Sequence, residues 1–356
     1  MPAVLEVLCP GALSSLQDLG RCHLRRLGVP RSGALDPGWL RIANALVGNP
    51  PGAPAIEFFG GGLAVRAVDS PLRVSLAGHF RAEVLADGAR RRSLAAWRSL
   101  TLAAGETLRC GTLTSARAGY VGLGGVDVPP QLGSASTYSP ANLGGVNGQA
   151  LATGSRLLLA EDRGRVEKRL RVSPPETAAA IRVVLGPQDD HFDPSAIATL
   201  LNEAYQVSPA ADRMGMRLLG PWLRHRTPSA VEITSDATLP GSIQVPGHGQ
   251  PIVLLADGQT VGGYPKIATV ISADLPRLAL RMPGAQVRFR AVTVAAAELA
   301  ARAREAAVQA LIAAIEVLPN AGGVDLEAIY AANLISGVVD AQGPTDSEAV
   351  PGGEDE

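Results

Sequence analysis

The sequence predicts a mainly β protein built on antiparallel barrels or sandwiches, and three observations point there. From Ala55 to Leu113 the runs AIEFF, LAVRAV, LRVSLAG, RAEVLA and SLTLAAGETLRCG follow one another, with hairpin turns such as Ala86-Asp87-Gly88. That is the spacing of consecutive short strands. The 40 glycines and 27 prolines are spread along the 356 residues, which marks many turns rather than a low-complexity tract. Between Glu232 and Lys266, β-rich runs at Glu232–Thr234, Ser242–Val245 and Pro251–Ala256 alternate with turns at Pro240-Gly241, Pro246-Gly247 and Gly262-Gly263. Glycine supplies positive φ and proline presets φ, so such pairs punctuate strands.

Taken in order, the chain opens on a strand at residues 3–8 and enters a polar loop segment from Gly11 to Asp36. Within that loop, Arg21 has Asp18 and Asp36 as candidate local partners. Trp39 to Val47 reads as an amphipathic helix: Leu40, Ala43 and Val47 share a face, and Gly48-Asn49-Pro50 ends it. Asn44 is placed to contact the loop before the helix. After the strand-rich stretch, Gly122-Leu123-Gly124 resembles part of a dinucleotide fingerprint, but it leads into Pro129-Pro130 instead of a helix, so the reading fails. Asp189, Asp190, His191 and Asp193 lack metal-ligand spacing; Asp193 and Pro194 read as the capped start of a helix at Ser195–Glu203. Ala295 to Val317 reads as an Ala-rich helix with Val308, Leu311, Ile312 and Ile315 on one face and Glu298, Arg302 and Glu305 on the other. A weak echo between Ala55-Ile56-Glu57 and Ala230-Val231-Glu232 fits a duplicated β-domain. The expected organisation is an N-terminal domain over 1–165, a linker over 166–178, a second β-domain over 179–292, a helical extension over 293–341 and an acidic disordered tail over 342–356.

Composition removes several classes of function. A net charge of −1 and no basic stripe leave no footprint for nucleic acid. The only lysines are Lys168 and Lys266, so there is no phosphate loop of the Gly-Lys-Ser/Thr kind, no Met-Lys-Met site for covalent biotin, and no Lys-Ser-Ser amidase centre. Three cysteines without metal spacing fit a reducing cytosol. With no signal peptide and no apolar run near a membrane span, the expectation is a cytoplasmic protein. No metal is expected.

Candidate binding groups concentrate in the loops. Gln17, Asp18, Arg21, Ser32 and Asp36 lie in the first loop segment; Gln244, Gln250, Gln259, Thr260, Tyr264 and Lys266 lie in the turn-rich stretch, with Arg213, Arg217 and Asp257 beside them in sequence. Such side chains recognise amides, carboxylates or phosphates, and equally well tie down the loops of a barrel.

Read together, QDLGR (Gln17–Arg21), GVP followed by SGALD (Gly28–Asp36), ANALVGN (Ala43–Asn49), GSAST (Gly133–Thr137) and GPQDDHF (Gly186–Phe192) resemble one family. DRMGMRLLG (Asp212–Gly220), GSIQVPGHGQPIVLLAD (Gly241–Asp257), GGYPKIATVISADL (Gly262–Leu275) and NLISGVVDA (Asn333–Ala341) extend the resemblance over nearly the whole chain. The family is the KipA, or allophanate hydrolase subunit 2, family of biotin-dependent carboxyltransferases. Many of its stand-alone members are the C subunit of bacterial 5-oxoprolinase.

The resemblance implies two cyclophilin-like β-barrel domains in tandem, with a few short helices and a C-terminal helix. It also implies two partners, a KipI-like protein and a LamB/YcsF-like protein, and ATP shared with or held by a partner. In that reaction ATP phosphorylates the lactam oxygen of 5-oxoproline and water opens the ring to glutamate. Charge developing on phosphoryl oxygens calls for cations and oriented donors. The matching positions make Lys266, Arg213 and Asp257 the expected catalytic group. Gln17, Asp18, Arg21, Ser32, Asp36, Arg217, Gln244, Gln250, Gln259, Thr260 and Tyr264 are the expected substrate-binding group. Three places depart from the family pattern: Cys22-His23-Leu24 replaces a Gly-aromatic, Ala135 stands where GSRST has arginine, and Gly258 and Val261 replace polar residues. Two alternatives stay open. One is the carboxyltransferase component of a urea-type carboxylase, with biotin on a partner; the other is a regulator that binds a KipI-like kinase inhibitor.

Overall fold

Alternation of apolar and polar side chains folds the N-terminal part into two sheets that face each other. The structure, a computed structural model, describes residues 3–87, 89–160, 166–174 and 179–318. The first sheet has six strands in the order Arg156–Leu159, Ala3–Pro10, Leu63–Ala67, Thr107–Cys110, Arg81–Ala86, Ala89–Ala95. The second has seven, in the order Leu13–Gln17, Ala55–Phe59, Ala118–Leu123, Leu72–Ala77, Arg98–Leu102, Lys168–Leu170, Ile315–Val317. Their inner faces meet in one apolar core, with Leu5, Val65, Val84 and Leu108 from one sheet against Ile56, Phe58, Val74 and Leu100 from the other. The consecutive strands expected between Ala55 and Leu113 are all present.

The strand Ala118–Leu123 is buried at every position, because a helix, α1 (Pro37–Val47), covers its outer face. Local sequence starts and stops α1. Asp36 caps it by accepting from Gly38 N at 2.8 Å and Trp39 N at 3.2 Å, Pro37 fills the first turn, and Gly48 ends it in the left-handed region. The close approach of helix to sheet needs glycine at 122, where a Cβ would lie 2.3 Å from Ser75 Oγ and 2.9 Å from the Ala43 carbonyl.

The C-terminal part forms an eight-stranded sheet in the order Gln286–Val287, Tyr205–Val207, Gly215–Leu219, Ile252–Leu254, Ser242–Gln244, Lys266–Val270, Ile181–Leu185, Phe289–Ala291. Its last pair is parallel. Helix α2 (Pro194–Asn202) is capped by Asp193 through Ser195 N at 2.8 Å, as the sequence predicts. The short helix α3 is Leu275–Ala279, and α4 is Val294–Ala313. A second core joins α1 (Leu40, Leu46) to this sheet (Ile243, Val253) without interruption. The mainly β expectation therefore stands.

Several local expectations are corrected. Glu232–Thr234 is not a strand: it follows a 3-10 turn at Pro228–Val231, and Ile233 makes a backbone bond to Gly263 O without joining a ladder. For the same reason the echo of Ala55-Ile56-Glu57 has no structural counterpart at Ala230-Val231-Glu232. Helix α4 stops at Ala313, and Ile315–Val317 turns back as a strand pairing with Lys168–Leu170. That second strand lies within the stretch read as a linker and bridges to Arg98 in the second sheet. Asn44 donates to the carbonyls of Pro51 and Ala53, in the loop after its helix instead of before it. The rest of the expected helical extension beyond residue 318 and the acidic tail over 342–356 lie outside the described residues.

Candidate functional site

The loops QDLGR and SGALD come together first, through two glycines. Gly20 and Gly33 have φ of 85° and 87°, and a Cβ on Gly33 would sit 2.8 Å from Gly20 N. Only glycine permits both the conformation and the contact. Asp18 then organises the GSAST segment. Its carboxylate accepts from Ser134 Oγ (2.6 Å), Ser136 Oγ (2.5 Å), Ala135 N (2.7 Å) and Gly20 N (2.7 Å). Arg21 is 1% exposed and donates to the Ser136 carbonyl at 2.6 Å and the Gln131 carbonyl at 3.2 Å. Its local partner is thus backbone, with neither Asp18 nor Asp36 accepting from it. Burial lowers its pKa, against the pull of Asp18 and Asp257. Gln17 donates to Ser15 Oγ and the Thr137 carbonyl. Its Oε1, Arg21 Nη1, Thr137 Oγ1 and Ser32 Oγ are buried without a partner.

Behind these loops lies a buried charge network. Arg213 forks onto Asp257, Nε to Oδ2 at 2.8 Å and Nη2 to Oδ1 at 3.1 Å. Its Nη1 donates to Glu57 Oε1, and Nη2 also reaches the Gly33 carbonyl at 2.7 Å. The other Glu57 oxygen accepts from Tyr120 Oη at 2.6 Å and Leu35 N at 2.8 Å. Tyr120 Oη in turn accepts from Asp36 N at 2.9 Å. Burial opposes the Arg213 charge, but the Glu57 and Asp257 carboxylates outweigh it and raise its pKa. Burial and then Glu57 push the Tyr120 phenol well up. With every nitrogen of its guanidinium engaged, Arg213 orients Asp257 from behind.

The turn-rich stretch supplies the third part. Gln259 Nε2 donates to Gln244 Oε1 at 3.1 Å, and Gln244 Nε2 to the Tyr264 carbonyl at 3.4 Å. Arg25 ties this stretch to the first loop by donating to the carbonyls of Thr238 (2.7 Å) and Gln259 (2.8 Å). Gln244 and Lys266 are register partners across an irregularity in the sheet. Lys266, 2% exposed, directs Nζ to Asp236 Oδ2 at 2.9 Å, an oxygen that also accepts from Gln188 Nε2 at 3.1 Å. The Lys266 hydrogen bond, foremost, lowers the Asp236 pKa. Burial and then the Asp257 carboxylate raise that of Tyr138. Asp257 thus acts electrostatically on both Arg21, in the first loop, and Tyr138, just after the GSAST segment.

Not all the sequence candidates join this cluster. Asp36 is engaged by the α1 cap and by Arg304 at 2.8 and 2.9 Å. Gln250 binds both backbone groups of Gly220. Arg217 is exposed on the outer side of its strand, Thr260 contributes its carbonyl to Thr238 N, and Tyr264 is 41% exposed. Residues the sequence reading passed over include Glu57, Tyr120, Asp236, Gln188 and Arg25. Glu57 had a signal: it is a carboxylate inside the otherwise apolar strand AIEFF, and a fully buried acid calls for a paired base. Among the described residues, no three or more His, Cys, Asp or Glu side chains form a metal-binding group.

The chain has relatives among known proteins. The family described as carboxyltransferase domain, subdomain A and B, matches residues 27–291, and the chain belongs to that family. It is 36% identical over 289 residues to the C subunit of 5-oxoprolinase from Escherichia coli, covering 80% of this chain and 90% of that one. The corresponding protein of Haemophilus influenzae is 34% identical, with 82% and 92% covered. The solved structure of the Kluyveromyces lactis urea amidolyase superimposes with a TM-score of 0.76 at 26% identity over 87% of this chain. This chain spans 20% of that much longer enzyme.

Proposed function

We propose that the protein is the C subunit of an ATP-dependent 5-oxoprolinase, acting in the cytoplasm with a KipI-like partner and a LamB/YcsF-like partner, and inactive alone. The observation that carries this reading is the 36% identity extending over 90% of the Escherichia coli protein.

The chemistry sets what the site must do. The lactam is a poor electrophile, so its oxygen takes the terminal phosphoryl group of ATP, releasing ADP. Water then adds to the activated carbon, the C–N bond opens onto a protonated nitrogen to give the γ-glutamyl phosphate, and a second water hydrolyses that acyl phosphate to glutamate and phosphate. Lys266 supplies a fixed cation for charge on the transferring group. Gln244 and Gln259 read the amide edge of the lactam, and Asp257, oriented by Arg213, accepts a proton from the attacking water. ATP is held by the assembly, shared with or carried by a partner. The chain itself holds no biotin.

The test is to co-purify the three proteins and measure ATP-dependent release of glutamate and phosphate from 5-oxoproline. Lys266→Met is expected to lower kcat by about 100-fold or more while the complex still elutes intact from a sizing column. Absence of turnover with all three present would exclude the reading; full activity of Lys266→Met would remove that residue from the site. The likeness to urea amidolyase favours a second reading, transfer of a carboxyl group from a biotin carried by a partner. Carboxylation of urea in the presence of a biotin carboxylase and carrier, with no 5-oxoproline turnover, would establish it.

A further inference from the structure

Arg213 and Arg182 each fork onto a carboxylate, Asp257 and Asp274. Arg25 is satisfied differently, and only in part. Its Nη2 donates to the Thr238 and Gln259 carbonyls at 2.7 and 2.8 Å, while its Nε and Nη1 are buried without a partner. Among the described residues, Arg25 has no ion pair. Burial lowers its pKa, and no carboxylate counters that. A half-buried cation with unmet donors is costly until an anion completes it.

The surroundings of Arg25 say which anion that is. Gln259 is held at both ends, its carbonyl by Arg25 and its side-chain amide by Gln244. Arg25 thus adjoins the two carboxamides that read the amide edge of the lactam. The other cation of this stretch, Lys266, is already paired with Asp236. In 5-oxoproline the carbon bearing the carboxylate is bonded directly to the lactam nitrogen. A group that binds the carboxylate must therefore lie beside the groups that read the amide. The 3-10 turn Arg25–Leu27 has no buried residue, so it can yield to an incoming oxygen without opening the core.

We propose that Arg25 binds the carboxylate of the substrate, and so selects a lactam that carries a carboxylate over one that does not. The guanidinium supplies a charge-assisted hydrogen bond to the carboxylate oxygens. Urea is neutral and offers Arg25 no such group. The assignment rests on the 5-oxoprolinase reading for the identity of the ligand.

The experiment compares 5-oxoproline with 2-pyrrolidinone, the same lactam ring with hydrogen in place of the carboxylate. Binding is followed by ligand-observed NMR with the full chain, alone and with its two partners, and without ATP. The parent is expected to bind 5-oxoproline about 10- to 100-fold more tightly than 2-pyrrolidinone, the range of a hydrogen bond to a charged group. Arg25→Met should remove that preference, weakening 5-oxoproline by the same factor and 2-pyrrolidinone by less than about threefold. Arg25→Gln, which keeps donors for the Thr238 and Gln259 carbonyls but no charge, should do the same. Both variants should retain the parent circular dichroism spectrum. If Arg25 only staples the two loops, Arg25→Met weakens both ligands alike and Arg25→Gln neither, and the proposal is overturned. Equal affinity of the parent for the two ligands, which needs no variant, or no binding of 5-oxoproline in either form, would also overturn it. In turnover, Arg25→Gln should raise KM for 5-oxoproline with kcat within about threefold; a fall in kcat at unchanged KM would count against it. Failure of the 5-oxoprolinase reading looks different: 5-oxoproline bound in an Arg25-dependent way, yet not opened with ATP and both partners present, removes that reading and leaves the carboxylate site standing.

Discussion

Glu57 shows how one residue can organise a site without facing it. Its carboxylate is 0% exposed and is satisfied by Arg213, Tyr120 Oη and Leu35 N. Arg213 in turn fixes Asp257, and the Gly33 carbonyl joins the same guanidinium to the first loop. Removing one member of a buried ionic group leaves its partner uncompensated, which costs about 3–5 kcal/mol. Glu57→Ala is therefore expected to lower the free energy of unfolding by that amount in urea titration. A change below about 1 kcal/mol would show that the network does not stabilise the fold. Lys266 differs in kind, because its partner Asp236 is half exposed at 49%, so its loss uncovers no buried carboxylate.

Among the elements, α4 shows how a helix of low amphipathicity is held. Val308 is buried, and Leu311, Ile312 and Ile315 pack against the second core. The opposite side carries the pair Glu298 and Arg302 at 3.9 Å, a spacing worth only a few tenths of a kcal/mol. Polar anchors fasten the helix to α1: Arg304 to Asp36, and Arg41 to both oxygens of Glu305 at 2.7 and 2.8 Å. The Arg41 hydrogen bonds, followed by Gln309, lower the Glu305 pKa to about 2. A carboxylate with a lowered folded pKa stabilises the protein above its unfolded pKa of 4.5 and loses that contribution as pH falls toward about 2. Because Glu305 is 55% exposed, solvent screening holds the effect to about 1 kcal/mol or less. Thermal unfolding of Glu305→Gln should fall below the parent at pH 6, with the gap shrinking by pH 3. An equal gap at both pH values would exclude this linkage.

For the whole molecule, the decisive feature is continuity between the N-terminal sheets and the C-terminal sheet. The second core contains Trp39, Leu46 and Tyr120 from one side and Ile243, Val253 and Phe289 from the other. Arg117 adds a polar clasp: it donates to the Ala279 carbonyl at 2.6 Å and the Asp212 carbonyl at 2.8 Å, and lies 5.5 Å over the Phe59 ring. Burial lowers its pKa to about 10, against the pull of Glu57. With one apolar core crossing the boundary, residues 3–318 are expected to unfold in a single cooperative step. Far-UV circular dichroism and the fluorescence of buried Trp39 and Trp97 should then give coincident melting curves. Two separated transitions would mean that the halves are independent.

The β class, the strands from Ala55 to Cys110, the capped helices α1 and α2, and the family are all legible in the chain, because periodicity, turn residues and contiguous strings are local properties. Within the candidate site, Arg213 and Asp257 were legible through their strings, as were Gln244, Gln259 and Lys266. What those residues do for one another emerges only when the chain is folded. Glu57 meets Arg213 across 156 positions, and Lys266 meets Asp236 across 30. No local pattern encodes such pairings; they arise when a buried charge must find its partner as sheets close over a core. The same reason separates the candidates that share the site from those that staple the fold: Asp36 and Gln250 have the right chemistry, but the backbone places a helix terminus and a glycine peptide within their reach first.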